Sequence, residues 1–143
     1  MDDTDRKILD LLRADARTAH AEIGRQVGLA ASSVTERIKK LVALNLIRRW
    51  TIDVDHEACG LPVLAFVNVF VQREGRHSAF AEAVGEMEEV LECHHVTGEW
   101  SFLLKVRAGS IRELETFMLA RLQSIPSVEK TDTVIALSSS KGA

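Results

Sequence analysis

Three groups of residues have the types and spacing for chemistry. The first is a run of hydroxyl and cationic side chains, Ser32, Ser33, Thr35, Arg37, Lys39 and Lys40, followed by the pair Arg48-Arg49. Held on one rigid rod, such hydroxyls, ammonium groups and guanidinium groups can meet base edges and phosphates in the major groove of duplex DNA. The second group is Thr97-Gly98-Glu99-Trp100-Ser101, a glycine turn carrying an indole and two hydroxyls. Together with Thr133 further along the chain it can line a small-ligand pocket, although the plain alternative is a hairpin with Trp100 covering a sheet edge. The third is Cys93-His94-His95, with His56, Cys59 and His77 elsewhere. Zinc needs about four convergent ligands. On a strand Cys93 and His95 share one face and His94 takes the other, a pattern more common for packed residues. No metal ligand, no cofactor and no disulfide is expected, and no C-x-x-C spacing is present. Nor is there a Gly-rich phosphate loop, a nucleophile elbow or an acid/base pair, so no residue is assigned a catalytic role and the chain is not read as an enzyme.

The DNA-directed residues must be positioned by helices. Ile8, Leu11 and Leu12 recur at helical spacing behind Asp2, Asp3 and Asp5, which favour a helix start. A second short helix places Ile23 and Val27 one turn apart, and Gly28 ends it by accepting a left-handed backbone. A third helix, from about Ala31 to Leu44, has an apolar stripe of Val34, Ile38, Leu41 and Val42. That stripe turns Ser32, Glu36, Lys39, Lys40 and Ala43 outward, with Ser33, Thr35 and Arg37 on the flanks. Glu36 and Lys40 have the spacing of an ordinary helical ion pair. Behind it, Leu46 to Ile52 alternates enough to be a short strand, a candidate wing whose two arginines can hold a phosphate.

The ligand-directed turn sits in a different kind of pattern. Pro62 to Val71 is a β-rich run that is apolar on both alternating faces, so one face needs a cover beyond its own helices, and a second subunit is the economical one. A helix from about Ser78 to Glu88, strands Val90 to Thr97 and Ser101 to Arg107, a helix Ser110 to Ser124 and a strand Val128 to Leu137 follow. Ser110 and Glu113 have capping-box spacing. The order βαββαβ is ferredoxin-like. The fold class expected is therefore α+β: a helix-turn-helix domain over residues 1–52, a linker over 53–61, and a ferredoxin-like domain over 62–143.

Composition agrees with two such modules. With 143 residues, 46% hydrophobic and 27% charged, the chain can bury a real core. The net charge of −3 hides an asymmetry: residues 1–52 carry 10 Lys+Arg against 7 Asp+Glu, and the remainder 8 against 14. A basic binding module on an acidic, self-repelling body suits a DNA-binding protein that does not coat DNA indiscriminately. The acidic start does not resemble a secretory signal, and no apolar run reaches the roughly 18 residues of a membrane span, so a cytoplasmic protein without a membrane partner is expected.

The whole pattern resembles the Lrp/AsnC family, the feast/famine regulators. The residues that carry the resemblance are Asp2, Asp5, Ile8 and Leu9, Asp15-x-Arg17, Ala21-Glu22-Ile23-Gly24, and Val27-Gly28-Leu29 through Ser32, Val34, Arg37, Ile38 and Leu41. To these are added Val90, Cys93 and Val96-Thr97-Gly98-Glu99-Trp100-Ser101-Phe102-Leu103-Leu104-Lys105-Val106. The resemblance implies a winged helix-turn-helix, a RAM-type ferredoxin-like domain that senses a small-molecule effector such as an amino acid, and homodimers paired through their sheets that assemble to tetramers or octamers with effector bound between dimers. Three positions depart from the family pattern. Ala30 stands where a serine usually opens the recognition helix, which passes the cap to Ser32 or to Ser33 with Glu36. Asn45 replaces a glycine after the third helix, and asparagine is the next best residue for a left-handed position. Ser101 replaces an aspartate, which implies weak amino-acid binding or a less cationic, more apolar ligand stacked on Trp100. Two other readings of the scaffold are a siroheme-decarboxylase-like enzyme using His94-His95 and a metal-responsive regulator.

Overall fold

The computed structural model describes residues 1–72 and 77–142 and divides the chain into two compact units, Met1–Ile52 and Asp53–Ala143. Each is built around its own core.

In the first unit, α1 (Asp3–Ala14), α2 (His20–Val27) and α3 (Ala31–Ala43) pack Ile8, Leu12, Ile23, Val34, Ile38 and Leu41 together. Helix α1 starts with a reciprocal cap: the Asp2 carboxylate accepts from Asp5 N–H at 2.8 Å and the Asp5 carboxylate accepts from Asp2 N–H at 3.2 Å. Gly28 ends α2 at φ 75° and Asn45 reverses the chain after α3 at φ 58°, both left-handed as their residue types suggest. Gly24 is required for a different reason, because a Cβ there would sit 2.3 Å from the Leu29 carbonyl oxygen.

Three local expectations are corrected. No serine caps α3: Ala30 holds the cap position with extended backbone and no side-chain hydrogen bond, leaving Ser32 and Ser33 already inside the first turn. Val42 is 44% exposed, so the core stripe of α3 ends at Leu41, and half-buried Ile47 packs on the cluster from beyond the helix. Leu46 to Ile52 is not a strand. Leu46 and Ile47 N–H both donate back to the Leu41 carbonyl, and the rest runs on without a ladder partner, which a strand requires.

In the second unit, β1 (Val63–Val71), α4 (His77–Gly85), β2 (Val90–His95), β3 (Phe102–Ala108), α5 (Ile111–Thr116) with a π-helical continuation (Phe117–Leu122), and β4 (Val128–Ala136) follow the ferredoxin-like order. All pairings are antiparallel in the order β2-β3-β1-β4. The alternation of β1 divides its faces. Ala65, Val67, Val69 and Val71 join Phe102, Leu104, Val106, Phe80, Val84, Leu114 and Leu122 in a core beneath the helices. Leu64, Phe66 and Phe70 lie on the opposite face. The stretch 53–61, read as linker, folds into a hydrogen-bonded turn within this unit, with Leu61 N–H donating to the His56 carbonyl at 2.8 Å.

The π-helical stretch has a packing rationale. Through it Phe117, Met118 and Leu122 stay buried, Leu122 at 0% exposure, while Arg121 is kept out of the core. Arg121 instead forms a two-pronged ion pair with Glu89. Ser110 caps α5 by accepting from Glu113 N–H at 3.1 Å, but the Glu113 carboxylate reaches one residue further back, to Gly109 N–H at 2.9 Å.

Candidate functional site

The polar face of α3 is built as its periodicity requires, but its side chains are not equally disposed toward a partner. Ser32, Ser33, Lys39 and Lys40 are exposed, as are Arg48 and Arg49. Thr35 and Arg37 are drawn into contacts of their own. The Thr35 hydroxyl donates to the Ala31 carbonyl at 3.0 Å and lies 2.7 Å from His20 Nδ1 on α2. A hydroxyl has one proton, so the imidazole is the donor in the second bond. The Arg37 guanidinium reaches the carboxylates of Asp2 at 2.8 Å and Asp5 at 2.9 Å. That Arg37 hydrogen bond, aided by the Asp5 N–H, holds the Asp2 carboxyl at about 2, well below the usual carboxylate range. One side chain thus caps α1 and fixes α3 across the bundle. Glu36 pairs with Lys39 at 3.2 Å, not with Lys40 as the i,i+4 spacing suggests.

His20, Asp2 and Asp5 escaped the sequence reading of this surface. Their helix-starting role was visible in the aspartates, but nothing in the spacing signals a contact spanning 35 residues of chain.

In the second unit the turn between β2 and β3 carries Gly98 at φ 104°, closed by Val96 N–H donating to the Ser101 carbonyl at 3.0 Å. Thr97, Gly98 and Glu99 are exposed and Trp100 is half-buried. Ser101 departs from the set. It is 8% exposed, its Oγ accepts from Val71 N–H at 3.0 Å and donates to the Val71 carbonyl at 3.3 Å, and its own N–H donates to the Val69 carbonyl at 2.9 Å. The hydroxyl is committed to closing the β1–β3 ladder. Thr133 is separated from the turn residues for a geometric reason. Its partner across the ladder is Val67, a helix-facing residue, and its hydroxyl lies 4.0 Å from Met118 Sδ, while Trp100 belongs to the other face of the sheet. Within one chain the two do not meet.

What does meet Trp100 is Lys130 on β4. Its ammonium lies 5.0 Å from the indole centroid, 5.5 Å from the Phe70 centroid and 3.4 Å from the Glu99 carboxylate. Lys130 was missed because it is 31 residues from Glu99 of the turn, within the polar run Glu129–Thr133 that carries no distinguishing motif.

The histidine-cysteine group also resolves. His95 stacks on Phe102 and lies 5.0 Å from the His77 ring, so His77 is a neighbour of this strand rather than remote from it. Cys93 is half-buried against the core, and that burial raises its thiol pKa. His94 faces the other way and pairs with Glu92 at 3.0 Å. Among the described residues no three His, Cys, Asp or Glu side chains gather closely enough to hold a metal ion.

Comparison with known proteins places the two units in one family. Residues 1–42 match the AsnC-type helix-turn-helix domain and residues 64–143 the Lrp/AsnC ligand binding domain. The HTH-type transcriptional regulator FL11 of Pyrococcus abyssi is 37% identical over 141 residues, covering 99% of this chain and 92% of that protein. The regulatory protein AsnC of Escherichia coli is 29% identical over 137 residues, covering 96% and 90%. Among solved structures, E. coli AsnC superposes with a TM-score of 0.92 at 28% identity, covering 100% of this chain and 96% of that one. A transcriptional regulator from Neisseria meningitidis, crystallised as an L-Met complex, superposes with a TM-score of 0.94 at 28% identity, covering 99% and 93%. These relatives are regulators, not enzymes. The chain belongs to the Lrp/AsnC family of helix-turn-helix transcriptional regulators.

Proposed function

We propose that this regulator reads duplex DNA in the cytoplasm through the outward face of α3. The observation that carries this is the exposure of Ser32, Ser33, Lys39 and Lys40 on one helix face in the basic half of the chain, with exposed Arg48 and Arg49 following. The two hydroxyls in the first turn are the base-directed groups, and the lysines and arginines hold phosphates. Thr35 and Arg37, also candidates for DNA contact, act from their intramolecular contacts with His20, Asp2 and Asp5 and orient the helix. Among the described residues no helix is long and apolar enough to cross a membrane.

A small-molecule effector, of which an amino acid is the model because a structural neighbour was solved with L-Met, is assigned to the turn Thr97–Trp100. Homodimers form through the uncovered sheet face, where Phe66 and Phe70 are half-buried and Val134 is 53% exposed, and dimers combine further to tetramers or octamers.

DNA binding is tested by quantitative binding to an operator recovered by genomic pull-down. The slope of log affinity against log salt is expected to fall by about 1 for each phosphate contact removed, and a Lys39/Lys40/Arg48/Arg49 quadruple alanine variant is expected to lose most of its affinity. Unchanged binding by that variant rejects the surface. Light scattering that reports a monomer at micromolar concentration rejects the dimer.

A further inference from the structure

Resting on the reading that α3 enters the DNA groove, we infer that His20 is a phosphate contact of the same interface and makes that contact as an imidazolium, taking up a proton at Nε2 when DNA binds. The ring is held at the right place. His20 opens α2, and its Nδ1 lies 2.7 Å from the Thr35 hydroxyl. Thr35 is three residues from Ser32 and four from Lys39, so on a helix it stands between them, and the imidazole rests against the margin of the outward face. In a helix-turn-helix the helix before the recognition helix crosses the phosphate backbone, which makes the start of α2 a phosphate-side position. Ala19 at its cap supplies no side-chain acceptor, so the first-turn N–H groups add positive potential beside the ring.

The hydrogen bonds decide which nitrogen is available. The one proton of the Thr35 hydroxyl goes to the Ala31 carbonyl, so Nδ1 is the donor to that oxygen. In the neutral ring Nε2 then carries a bare lone pair. A phosphate oxygen is also an acceptor, and the two repel unless Nε2 gains a proton. Protonation leaves the Thr35 bond intact, because Nδ1 is already its donor. Nothing within the unit competes for the new N–H: among the described residues Nε2 has no partner, it reaches solvent, and no carboxylate bonds to the ring. The carboxylates of the flanking elements are engaged elsewhere. Glu22 on α2 is held by Arg25 and Gln26, Glu36 on α3 by Lys39, Asp2 and Asp5 at the start of α1 by Arg37, and Asp15 in the loop before α2 accepts from Arg17 N–H. The anion that stabilises an imidazolium here therefore comes from outside the unit, and on a margin shared with exposed Lys39 that anion is a phosphate.

The test uses the full-length chain and the operator recovered by pull-down, with affinity measured at pH 6 and pH 8 over a series of salt concentrations. His20→Gln keeps a donor for Thr35 but cannot take up a proton. Between pH 6 and pH 8 wild type is expected to lose about three- to tenfold more affinity than this variant. At pH 6 its log-log salt slope is expected to exceed the variant's by about 1. Unchanged thermal melts will show that the variant folds. On the DNA side, operator phosphates are replaced one at a time by uncharged methylphosphonate; one position is expected to flatten the pH dependence of wild type, a readout that holds whether or not the variant folds, and if none does the inference fails. Parallel pH dependence of wild type and His20→Gln overturns it while leaving α3 as the reading helix. So does an equal loss of affinity by the variant at both pH values with an unchanged salt slope, which shows that His20 only positions α3 through Thr35. Failure of the α3 reading shows separately, as unchanged binding by the Lys39/Lys40/Arg48/Arg49 variant, and the inference then falls with it.

Discussion

Ser101→Ala separates a structural role for this hydroxyl from a ligand-binding one. In the folded chain Ser101 Oγ sits between both backbone groups of Val71, at 3.0 Å from the N–H and 3.3 Å from the carbonyl, at a site 8% exposed. Alanine leaves a buried N–H without its acceptor, which costs about 1–3 kcal/mol. In a domain of this size each kcal/mol lowers the melting midpoint by about 4–8 °C. Ser101→Asp, the change that restores the family's carboxylate, is expected to cost more than alanine. An aspartate can accept from Val71 N–H, but it has no proton for the Val71 carbonyl and places a charge in a buried site. Trp100 is adjacent and Trp50 belongs to the other unit, so urea unfolding followed by fluorescence in a Trp50→Phe background reports this unit alone. The midpoint should shift with little change in slope. If Ser101→Ala lies within about 0.5 kcal/mol of wild type, the bridge to Val71 does not stabilise the fold. If Ser101→Asp is as stable as wild type and binds amino acids more tightly, its side chain faces the turn and the reasoning is refuted.

Other outcomes follow from single contacts. Gly24→Ala forces a Cβ to within 2.3 Å of the Leu29 carbonyl oxygen, so the α2–α3 connection must shift; urea unfolding of the first unit should show a loss of about 1–3 kcal/mol, with DNA affinity falling in parallel. The Asp2 carboxyl lies at about 2 in the folded chain against an ordinary 3.8, so its contribution to stability is present above pH 3.8 and is lost as pH falls toward 2. Asp2→Asn should flatten that part of the acid-unfolding curve, and an unaltered curve would mean that Arg37 does not hold Asp2 in solution. Gly98→Ala places a side chain at φ 104° and should destabilise the second unit by about 1 kcal/mol or more in thermal melts, although no atom obstructs it.

Periodicity located most elements because each helix or strand buries a single stripe, and burial is what the spacing of Ile8, Leu12, Val34, Ile38 and the odd-numbered residues of β1 encodes. Where it failed, the deciding force was not in the local pattern. Leu46 to Ile52 alternates like a strand, but a strand needs a neighbour to receive its backbone hydrogen bonds, and neighbours are a property of topology. The wider π-helical turn at Phe117 was equally invisible: Leu114, Met118 and Leu122 are spaced as in an ordinary α-helix, so the pattern carries no sign of the extra residue in the turn.

The candidate sites were legible to a different degree, because a helical wheel shows which side chains point outward and not which of them are already engaged. Of the polar residues on α3, Arg37 is bound to two aspartates from the first helix and Thr35 to His20, so part of the apparent reading surface is a clamp that sets the angle of the helix. Under the proposed reading the clamp serves recognition all the same: a helix that places short side chains such as Ser32 and Ser33 against base edges tolerates little rotation, and the contact of Arg37 with Asp2 and Asp5 limits it at the turn following those serines. At the ligand-directed turn the omission ran the other way: contiguous residues suggested a pocket, while the cation that packs over Trp100, Lys130, comes from a strand that lies beside the turn only once β4 has paired with β1. A contact made by sheet pairing leaves no mark in sequence spacing.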